Sequence, residues 1–263
     1  YAENNNPSAV FLSEEFWPGP LTLVLNSKDK LPEIVSAGLS TVAFRVPNSK
    51  AMREVMSISG CPLAAPSANI SGRPSPTKAE HVVNDLDGKV DLVIDGGETS
   101  YGIESTVLAA YQEDLQLLRP GSFSLSAINT ALTKAGFDNV HKQDPDARTA
   151  IAPGIKYRHY APKAKVKLIG KSHLNDEFLE DFLQKENLNT GEVLIFESKI
   201  QQSKVPIKRF ELGDSCALWS KKIFDLFRKA DNDDYKVILI SKPPDDADSA
   251  ALLNRLKKAA ESE

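Results

Sequence analysis

Short apolar runs alternate with helix-periodic stretches in the C-terminal part of the chain, and this alternation restricts the fold more than any other feature. Three runs read as buried strands, at residues 165–169, 192–196 and 236–240. Helical patterns lie between and after them, at about 175–186, 215–230 and 248–261. The alternation predicts a small three-layer α/β domain with a parallel sheet. Only Gly170 follows the first strand, and the absence of a G-x-G-x-x-G fingerprint or a P-loop disfavours a dinucleotide or nucleoside-triphosphate site in this domain.

The first 150 residues carry a mixed pattern of strands and helices. Strands are predicted at residues 21–25, 40–46, 91–95, 105–109 and 115–118, and helices at about 49–58, 81–86 and 122–135. Thr77 and Glu80 have the spacing of a capping box for the second of these helices. Alternation within 40–46 places Thr41 and Arg45 on one face of their strand. The pattern predicts a mixed α/β sheet with polar residues at strand ends and turns.

Composition and charge narrow the range of functions. The chain has 263 residues, of which 41% are hydrophobic and 26% charged, as expected for a soluble globular protein of one or two domains. No apolar run approaches the roughly 20 residues of a membrane span, so we expect a cytoplasmic protein with no membrane partner. Residues 1–150 hold 12 Lys/Arg and 18 Asp/Glu, net −6, which disfavours broad binding to nucleic acid. Cys61 and Cys216 read as reduced core or near-core thiols.

Residues 61–72, CPLAAPSANISG, form the clearest candidate for a ligand-binding segment. A short apolar run ends in small residues with side-chain oxygens, among them Ser67 and Asn69. Small residues let a ligand approach the backbone, and closely spaced N–H groups and hydroxyls suit an anion such as phosphate. A structural turn rich in Ser, Asn and Gly has the same composition, so both interpretations stay open.

Two arginines are candidates for anion clamps. Arg45 lies within a predicted strand, and Arg119 lies between an apolar strand and a Pro-Gly turn. Either side chain can hold a carboxylate or phosphate through two hydrogen bonds. The alternative for Arg45 is a side chain that faces solvent from its strand, and the alternative for Arg119 is a surface salt bridge. No nucleophile–base pair, no pair of carboxylates and no metal-ligand spacing stands out. Spacing alone therefore leads no further than an anion-binding α/β protein, with no protein-bound metal expected.

A basic and aromatic stretch, IAPGIKYRHYAPKAK at 151–165, divides the two patterns. Two prolines and a glycine break regular structure, and the basic residues occur without an acidic one. Aromatic side chains stand between them, at Tyr157, His159 and Tyr160. The stretch is predicted to be a linker lying across another surface, with a solvated linker as the alternative. The predicted domains are therefore 1–148, a linker at 149–165, and 166–263.

Seven short motifs occur in a recognisable order. They are FWPGPLT (16–22), TVAFRVPN (41–48), APSANISGRPSPT (65–77), DGG (95–97), GIESTVL (102–108), LRPGS (118–122) and PGIKYRHYAP (153–162). The series resembles the YrdC-like family of L-threonylcarbamoyladenylate synthases, in the two-domain form. The resemblance covers residues from about 10 to 166 by motif and the remainder by architecture. It implies an α/β protein, with a YrdC-like twisted mixed sheet that is incomplete at its N-terminus and a small Rossmann-like parallel domain.

The resemblance also implies an activity and a set of site residues. The family joins L-threonine, bicarbonate and ATP into threonylcarbamoyl-AMP, releases pyrophosphate, and passes its product to the tRNA-modifying machinery. The resemblance thus implies a nucleotidyltransferase with Mg²⁺ accompanying ATP, and leaves weak tRNA binding possible. A reaction of this kind needs positioning and electrostatics, so no residue is expected to act as a nucleophile. Expected ATP contacts are Thr41, Ser67, Asn69, Ser75, Arg119, Tyr157, His159 and Tyr160, the last three as a lid. Expected threonine contacts are Arg45, Ala65 and Ser105.

One departure and three alternatives accompany this interpretation. The Lys-x-Arg segment with a nearby histidine that opens the family has no match before Phe16. We therefore expect a piece of a longer protein, with unpaired strands, exposed apolar area and weak or absent activity by itself. The alternatives are a carbamoyl-transfer domain of the maturation-factor type, a non-catalytic RNA-binding module, and a truncated copy that persists as an interaction protein.

Overall fold

The computed structural model describes residues 1–3, 6–28, 31–142, 160–170 and 173–260. Within these ranges the chain forms two compact units. The first unit contains residues 1–66 and 104–142, and the second contains 67–103 and 160–260. Among the helices in this part of the chain, none combines the length and the apolar character needed to cross a membrane.

A mixed sheet organises the first unit. Its strands, within the described residues, are β1 (Ala2–Glu3), β2 (Leu21–Ser27), β3 (Thr41–Phe44), β4 (Thr106–Ala109), β5 (Gln116–Arg119) and β6 (His141–Lys142). The strand order is β1-β2-β4-β5-β6, with β3 also paired to β2. The β2–β4 and β5–β6 pairs are parallel and the others antiparallel. The predicted mixed sheet is therefore confirmed.

Helices cover one face of this sheet. The helices of the first unit are α1 (Pro7–Phe16), α2 (Glu33–Ser36), α3 (Lys50–Ser59) and α5 (Leu125–Lys134). Helix α1 begins where the Asn6 side chain accepts the N–H of Ala9, with Pro7 at the first helical position, where its missing N–H costs nothing. Its Leu12 packs with Ile128 of α5 against the leucines of β2 in a single buried cluster. The opposite face of the sheet is thereby left for polar side chains.

The second unit contains the predicted parallel α/β domain. Its strands are β7 (Lys165–Ile169), β8 (Val193–Glu197), β9 (Lys208–Glu211) and β10 (Val237–Ser241), in the order β7-β10-β8-β9, all parallel. Its helices are α4 (Ala79–Leu86), α6 (Asp176–Glu186), α7 (Cys216–Asn232) and α8 (Ser249–Ala260). Helix α6 contributes to one buried cluster, and α7 and α8 to another, so helices cover both faces of the sheet.

Two local predictions in the second unit are wrong. Residues 91–95 belong to neither sheet of the described chain, and Leu92 there is 75% exposed. An apolar alternation forms a strand only where a partner strand meets it, and the described residues supply none. The capping box is also absent, because Lys78 is the N-cap of α4 and makes no side-chain cap bond.

Residues 67–103 pack with the C-terminal elements. The predicted division at residue 148 instead assigns them to the first domain. Ion pairs join this segment to α7, and Gly102 lies so close to α7 that an added Cβ would be 2.3 Å from the Ser220 carbonyl oxygen. Gly102 also has φ +79°, a conformation that favours glycine. Sequence composition alone does not reveal such contacts, and the extents of the domains stay a prediction.

Candidate functional site

One face of the sheet in the first unit gathers polar side chains from three neighbouring strands. Thr22 of β2 pairs with Val107 of β4, and Val107 pairs with Arg119 of β5. Paired residues project to the same side of a sheet, and side chains alternate along each strand. Thr22, Ser105 and Arg119 therefore share the face that lies opposite the helix-covered leucine core.

Ser105 lies at the centre of this face and is 3% exposed. Its hydroxyl is 2.7 Å from the Thr22 hydroxyl. The Arg119 guanidinium donates from Nη2 to the Ser105 hydroxyl at 3.2 Å, and from Nη2 and Nε to the Ser105 carbonyl at 2.9 and 3.3 Å. Donors that carry charge make stronger hydrogen bonds, so these contacts hold the guanidinium in one orientation. A cation and two hydroxyls thus meet at one point, which suits a carboxylate or phosphate.

The turn after β5 holds Arg119 in place. The Ser122 N–H donates to the Glu104 carbonyl at 3.0 Å, and the Phe123 N–H donates to the Thr106 hydroxyl at 3.1 Å. Between them Gly121 lies against the Ser105 backbone, where an added Cβ would be 2.2 Å from the Ser105 carbonyl carbon. Only glycine fits so close an approach, so the Pro-Gly pair that follows Arg119 is a requirement of this geometry.

Thr41 extends the same face along β3. Ala43 pairs with Val24 of β2, two residues beyond Thr22, and Thr41 lies on the same side of β3 as Ala43. Arg45 directly follows the end of β3, so its predicted place on this face stays a prediction. Partial burial of its guanidinium lowers the pKa of Arg45 from the usual value, while the side chain keeps contact with solvent.

The other predicted nucleotide contacts belong to the second unit, in the segment 67–75, hereafter the polar loop. Ser67 is exposed and Ser75 is half-buried. The Asn69 amide donates to the carbonyls of Ile70 and Arg73, at 2.9 and 3.1 Å. Its Oδ1 is buried and has no hydrogen-bond partner among the described residues. Asn69 thus stabilises the loop through its amide nitrogen, and its side-chain oxygen can still accept a hydrogen bond.

A buried carboxylate anchors the polar loop. Asp85 of α4 accepts the Ile70 N–H at 3.3 Å and an Arg73 N–H at 2.6 Å. Arg228 of α7 donates to the same carboxylate at 2.8 Å and to the Pro74 carbonyl at 2.5 Å. Burial alone would raise the pKa of Asp85, but the hydrogen bonds from Arg228 and Arg73 outweigh it and hold the pKa below its usual value. The carboxylate is therefore ionised and fully paired at neutral pH.

A second buried group, His81, lies on the same helix. Its Nδ1 accepts the Thr77 N–H at 3.2 Å, and its Nε2 lies 3.1 Å from the Asp225 carboxylate. Burial lowers the pKa of His81, and the nearby charge of Arg228 lowers it further. The neutral ring with its proton on Nε2 satisfies both contacts.

Within the described residues, Glu80, His81 and Asp225 form one group with ligand atoms close enough for a metal ion. The ammonium of Lys78 lies 3.1 Å from Asp225 and 3.5 Å from Glu98, so a cation already neutralises this carboxylate. His81 also uses both ring nitrogens in the contacts above. The group therefore does not fit a divalent ion such as Mg²⁺.

The remaining predicted site residues differ in how far the structure describes them. Ala65 is exposed in an irregular segment of the first unit. Tyr160 is 8% exposed and packs in the core of the second unit, stacked on Phe224 with the Arg255 guanidinium 5.4 Å from its ring centroid. This environment differs from the one expected for a lid residue. Tyr157 and His159 lie outside the described residues, and the predicted ligand contacts of all these positions stay predictions.

Sequence reasoning missed three residues that support the candidate site. Thr22 lies in an apolar run that reads as fully buried, and only strand register shows its hydroxyl against Ser105. Asp85 and Arg228 are 143 residues apart, and neither has a local motif. The sole signal in the sequence was a carboxylate on the apolar side of a short helix, because burying one demands a partner. The prediction of two near-core thiols is half wrong, since Cys61 is exposed and Cys216 buried.

Comparisons with known proteins agree with this architecture. The family model Sua5_yciO_yrdC, described as "Telomere recombination", matches residues 1–121. The model Sua5_C, described as "Threonylcarbamoyl-AMP synthase, C-terminal domain", matches residues 123–261. Together these matches extend over nearly the whole chain, including the C-terminal α/β part that a maturation-factor domain would lack.

Individual relatives give the same result. A threonylcarbamoyl-AMP synthase of Pyrococcus abyssi is 38% identical over 255 residues, which are 96% of this chain and 73% of the relative. One from Bacillus subtilis is 38% identical over 254 residues, 96% of this chain and 72% of the relative. A crystal structure of P. abyssi Sua5 complexed with L-threonine superposes with a TM-score of 0.82 at 35% identity, covering 98% of this chain and 75% of that one. The chain therefore belongs to the threonylcarbamoyl-AMP synthase family, in its two-domain form.

Proposed function

We propose that this protein forms threonylcarbamoyl-AMP from L-threonine, bicarbonate and ATP, with release of pyrophosphate. Family membership makes it an enzyme of the transferase type, and the proposed reaction makes it a nucleotidyltransferase. The observation that carries the proposal is the sheet face on which Thr22, Ser105 and Arg119 are joined by hydrogen bonds. Arg45 directly follows the strand that pairs with β2 on the other side. Such a face offers what a carboxylate and a phosphate both require.

The threonine side of the site is assigned to three residues. Arg45 pairs with the carboxylate of L-threonine, Ser105 hydrogen-bonds it, and Ala65 lines its pocket. The relative that is complexed with L-threonine supports a threonine site in this family.

The ATP side is assigned to the residues that the family resemblance implies. We assign the nucleotide contacts to Thr41, Ser67, Asn69, Ser75 and Arg119, and a covering role to Tyr157 and His159. Tyr160 is left out of this role, because it is 8% exposed and packs in the core of the second unit. Support comes from the free acceptor on Asn69 and from the fixed guanidinium of Arg119. A structure of a P. abyssi Sua5 variant with a histidine and a tyrosine replaced by alanine superposes with a TM-score of 0.85. A histidine followed by a tyrosine also occurs in the linker of this chain, at His159 and Tyr160.

The chemistry requires alignment and charge neutralisation rather than a protein nucleophile. Bicarbonate condenses with the free amine of L-threonine to give N-carboxythreonine and water. A carboxylate oxygen of N-carboxythreonine then attacks the α-phosphorus of ATP. The bond from that phosphorus to the bridging oxygen then breaks, and pyrophosphate leaves with its electron pair. Guanidinium groups and hydroxyls held in fixed positions stabilise the charge that develops on the phosphoryl oxygens. Mg²⁺ bound to the triphosphate would supply further positive charge on its oxygens.

The test is pyrophosphate release from Mg²⁺-ATP, with and without L-threonine and bicarbonate. We expect release to require both, and Arg119→Met to lower its rate about 100-fold, as for other losses of transition-state contacts. Arg53→Met is the matched control, because Arg53 is on α3 and donates to the Pro47 carbonyl. Release that proceeds equally without L-threonine would refute the proposal and favour the maturation-factor type of carbamoyl transfer.

The product is proposed to supply the threonylcarbamoyl group that the tRNA-modifying machinery attaches to an adenosine. A direct contact with tRNA and a cytoplasmic location stay predictions. Binding of tRNA that weakens steeply with salt would indicate a role for the basic linker.

A further inference from the structure

The nucleotide-binding loop is held by a residue of the C-terminal domain. We propose that Arg228 of α7 is a positioning residue for the polar loop (67–75), acting through the buried carboxylate of Asp85. The inference rests on the proposed function, because it assigns this loop to ATP. It goes further in giving the C-terminal domain a role in nucleotide binding through a named side chain.

The contacts form a continuous path from α7 to the loop. Arg228 donates to the Pro74 carbonyl and to Asp85, and Asp85 in turn accepts the Ile70 N–H. Arg73 donates to the other carboxylate oxygen. The loop is therefore fixed at three of its backbone or side-chain groups between Ser67 and Ser75. All of these contacts lie within the second unit.

A further contact fixes the middle of the loop. The Ala161 N–H donates to the Gly72 carbonyl at 3.3 Å, directly after the linker aromatics. Gly72 has a positive φ of +89°, so the chain reverses at the point where it is held. The polar loop is thus anchored before, at and after its turn.

Burial makes the Arg228–Asp85 contact strong and selective. The side chain of Asp85 is fully buried, and that of Arg228 is 9% exposed. In such surroundings a charged pair depends on good geometry, because desolvation offsets much of the attraction. Arg228 meets this requirement by pairing with a carboxylate and a carbonyl at the same nitrogen, Nη2.

The cavity beside this cluster is too small for a nucleotide. It measures about 40 Å³ and is lined in part by Arg73, His81, Lys163 and Asp231. That volume holds one or two water molecules, which would satisfy the buried Nε of Arg228. Because no nucleotide fits there, the cluster acts on the loop and not as a second binding site.

The expected consequence is a loss of ATP affinity without loss of threonine affinity. Displacing a positioning element by about 1 Å can reduce rate or binding 100-fold. We expect Arg228→Met to raise the Kd of Mg²⁺-ATP about 10- to 100-fold and to leave the Kd of L-threonine within about twofold. Arg228→Lys keeps the charge and one donor, and is expected to restore part of the affinity.

A matched control comes from a second buried ion pair in the same domain. Arg209 of β9 donates to Glu197 of β8 at 2.9 Å, and both side chains are less than a tenth exposed. Arg209→Met removes a comparable pair, whose hydrogen bond joins β9 to β8. We expect it to lower stability while leaving the Kd of Mg²⁺-ATP within about twofold.

Calorimetric titration with Mg²⁺-ATP and with L-threonine separates the outcomes. Hydrogen exchange at the amides of Ile70 and its neighbours adds a readout that needs no ligand. Faster exchange confined to the loop in Arg228→Met, with weaker ATP binding, supports the inference. Unchanged ATP affinity in a folded Arg228→Met protein overturns it and leaves the proposed function intact. A wild-type protein that does not bind ATP at all refutes the proposed function, and the inference with it.

Discussion

Gly121 gives the sharpest test of how the sheet face is held. An added methyl at this position would lie 2.2 Å from the Ser105 carbonyl carbon and 2.3 Å from the Thr106 nitrogen. Both are backbone atoms, so no side-chain rotation relieves the contact. Ordinary contact begins at 3.4 Å, and the two segments must separate by about 1.2 Å (3.4 − 2.2) to accommodate alanine. A movement of that size breaks the hydrogen bonds between the turn and β4.

The cost follows from the contacts that are lost. The separation would lengthen the bonds from Ser122 to Glu104, from Phe123 to Thr106, and from Arg119 to Ser105 beyond hydrogen-bond range. Each contributes about 1 kcal/mol net, so Gly121→Ala should lower the free energy of unfolding of this unit by about 3 kcal/mol. The displaced guanidinium should also weaken L-threonine binding about tenfold.

The assay uses the two tryptophans of the chain. Trp17 lies in the first unit and Trp219 in the second, so a Trp219→Phe background leaves Trp17 fluorescence as a reporter of the first unit alone. Urea unfolding then compares Gly121→Ala with its Trp219→Phe parent through the fluorescence of Trp17. The reasoning is refuted if Gly121→Ala unfolds within about 0.5 kcal/mol of its parent, the range of neutral surface substitutions.

Three further predictions concern single side chains. The pKa of His81 is lower in the folded protein than in the unfolded chain, so the unfolded chain takes up a proton first as the pH falls below about 6.5. The free energy of unfolding should therefore decrease below that pH. Urea melts of His81→Gln should show a smaller decrease over the same pH range. Burial raises the pKa of Cys216 to about 12. A thiol reagent at pH 8 should therefore modify the exposed Cys61 rapidly and Cys216 only on unfolding. Rapid modification of both thiols in the folded protein would contradict the structure. Thr22→Val should weaken L-threonine binding about fivefold by removing the hydroxyl partner of Ser105, and calorimetry showing unchanged affinity would exclude that role.

The parallel domain could be predicted because its signal is local. Strands β8 and β10 each contain four consecutive apolar residues, and helices α6 and α7 begin at capping side chains, Asn175 and Ser215. The sequence pattern did not predict strand β9, because Lys208–Glu211 is mostly charged. Its membership of the sheet depends on pairing with β8, which no short-range pattern records.

The candidate site was predictable only in part, for a related reason. Alternation along one strand placed Thr41 and Arg45 on the same side, and the register of β2 with β3 confirms the side of Thr41. The convergence of Ser105 with Arg119 depends on β4 pairing with β5, including an irregularity between Val107 and Leu108. Periodicity states which side of a strand a residue occupies, but not which strands become neighbours.

The Asp85–Arg228 pair illustrates why stability alone does not explain this structure. A buried ion pair is often no more stabilising than well-packed apolar residues of similar size, because desolvation offsets the attraction. An apolar pair at these two positions would fill the same space, yet it would leave the Ile70 N–H and the Pro74 carbonyl of the polar loop without partners. What the charges supply is a fixed position for those two backbone groups. The pair is therefore better understood as a determinant of loop geometry than as a source of folding energy, and this is why its removal should appear in nucleotide affinity as well as in the melting temperature.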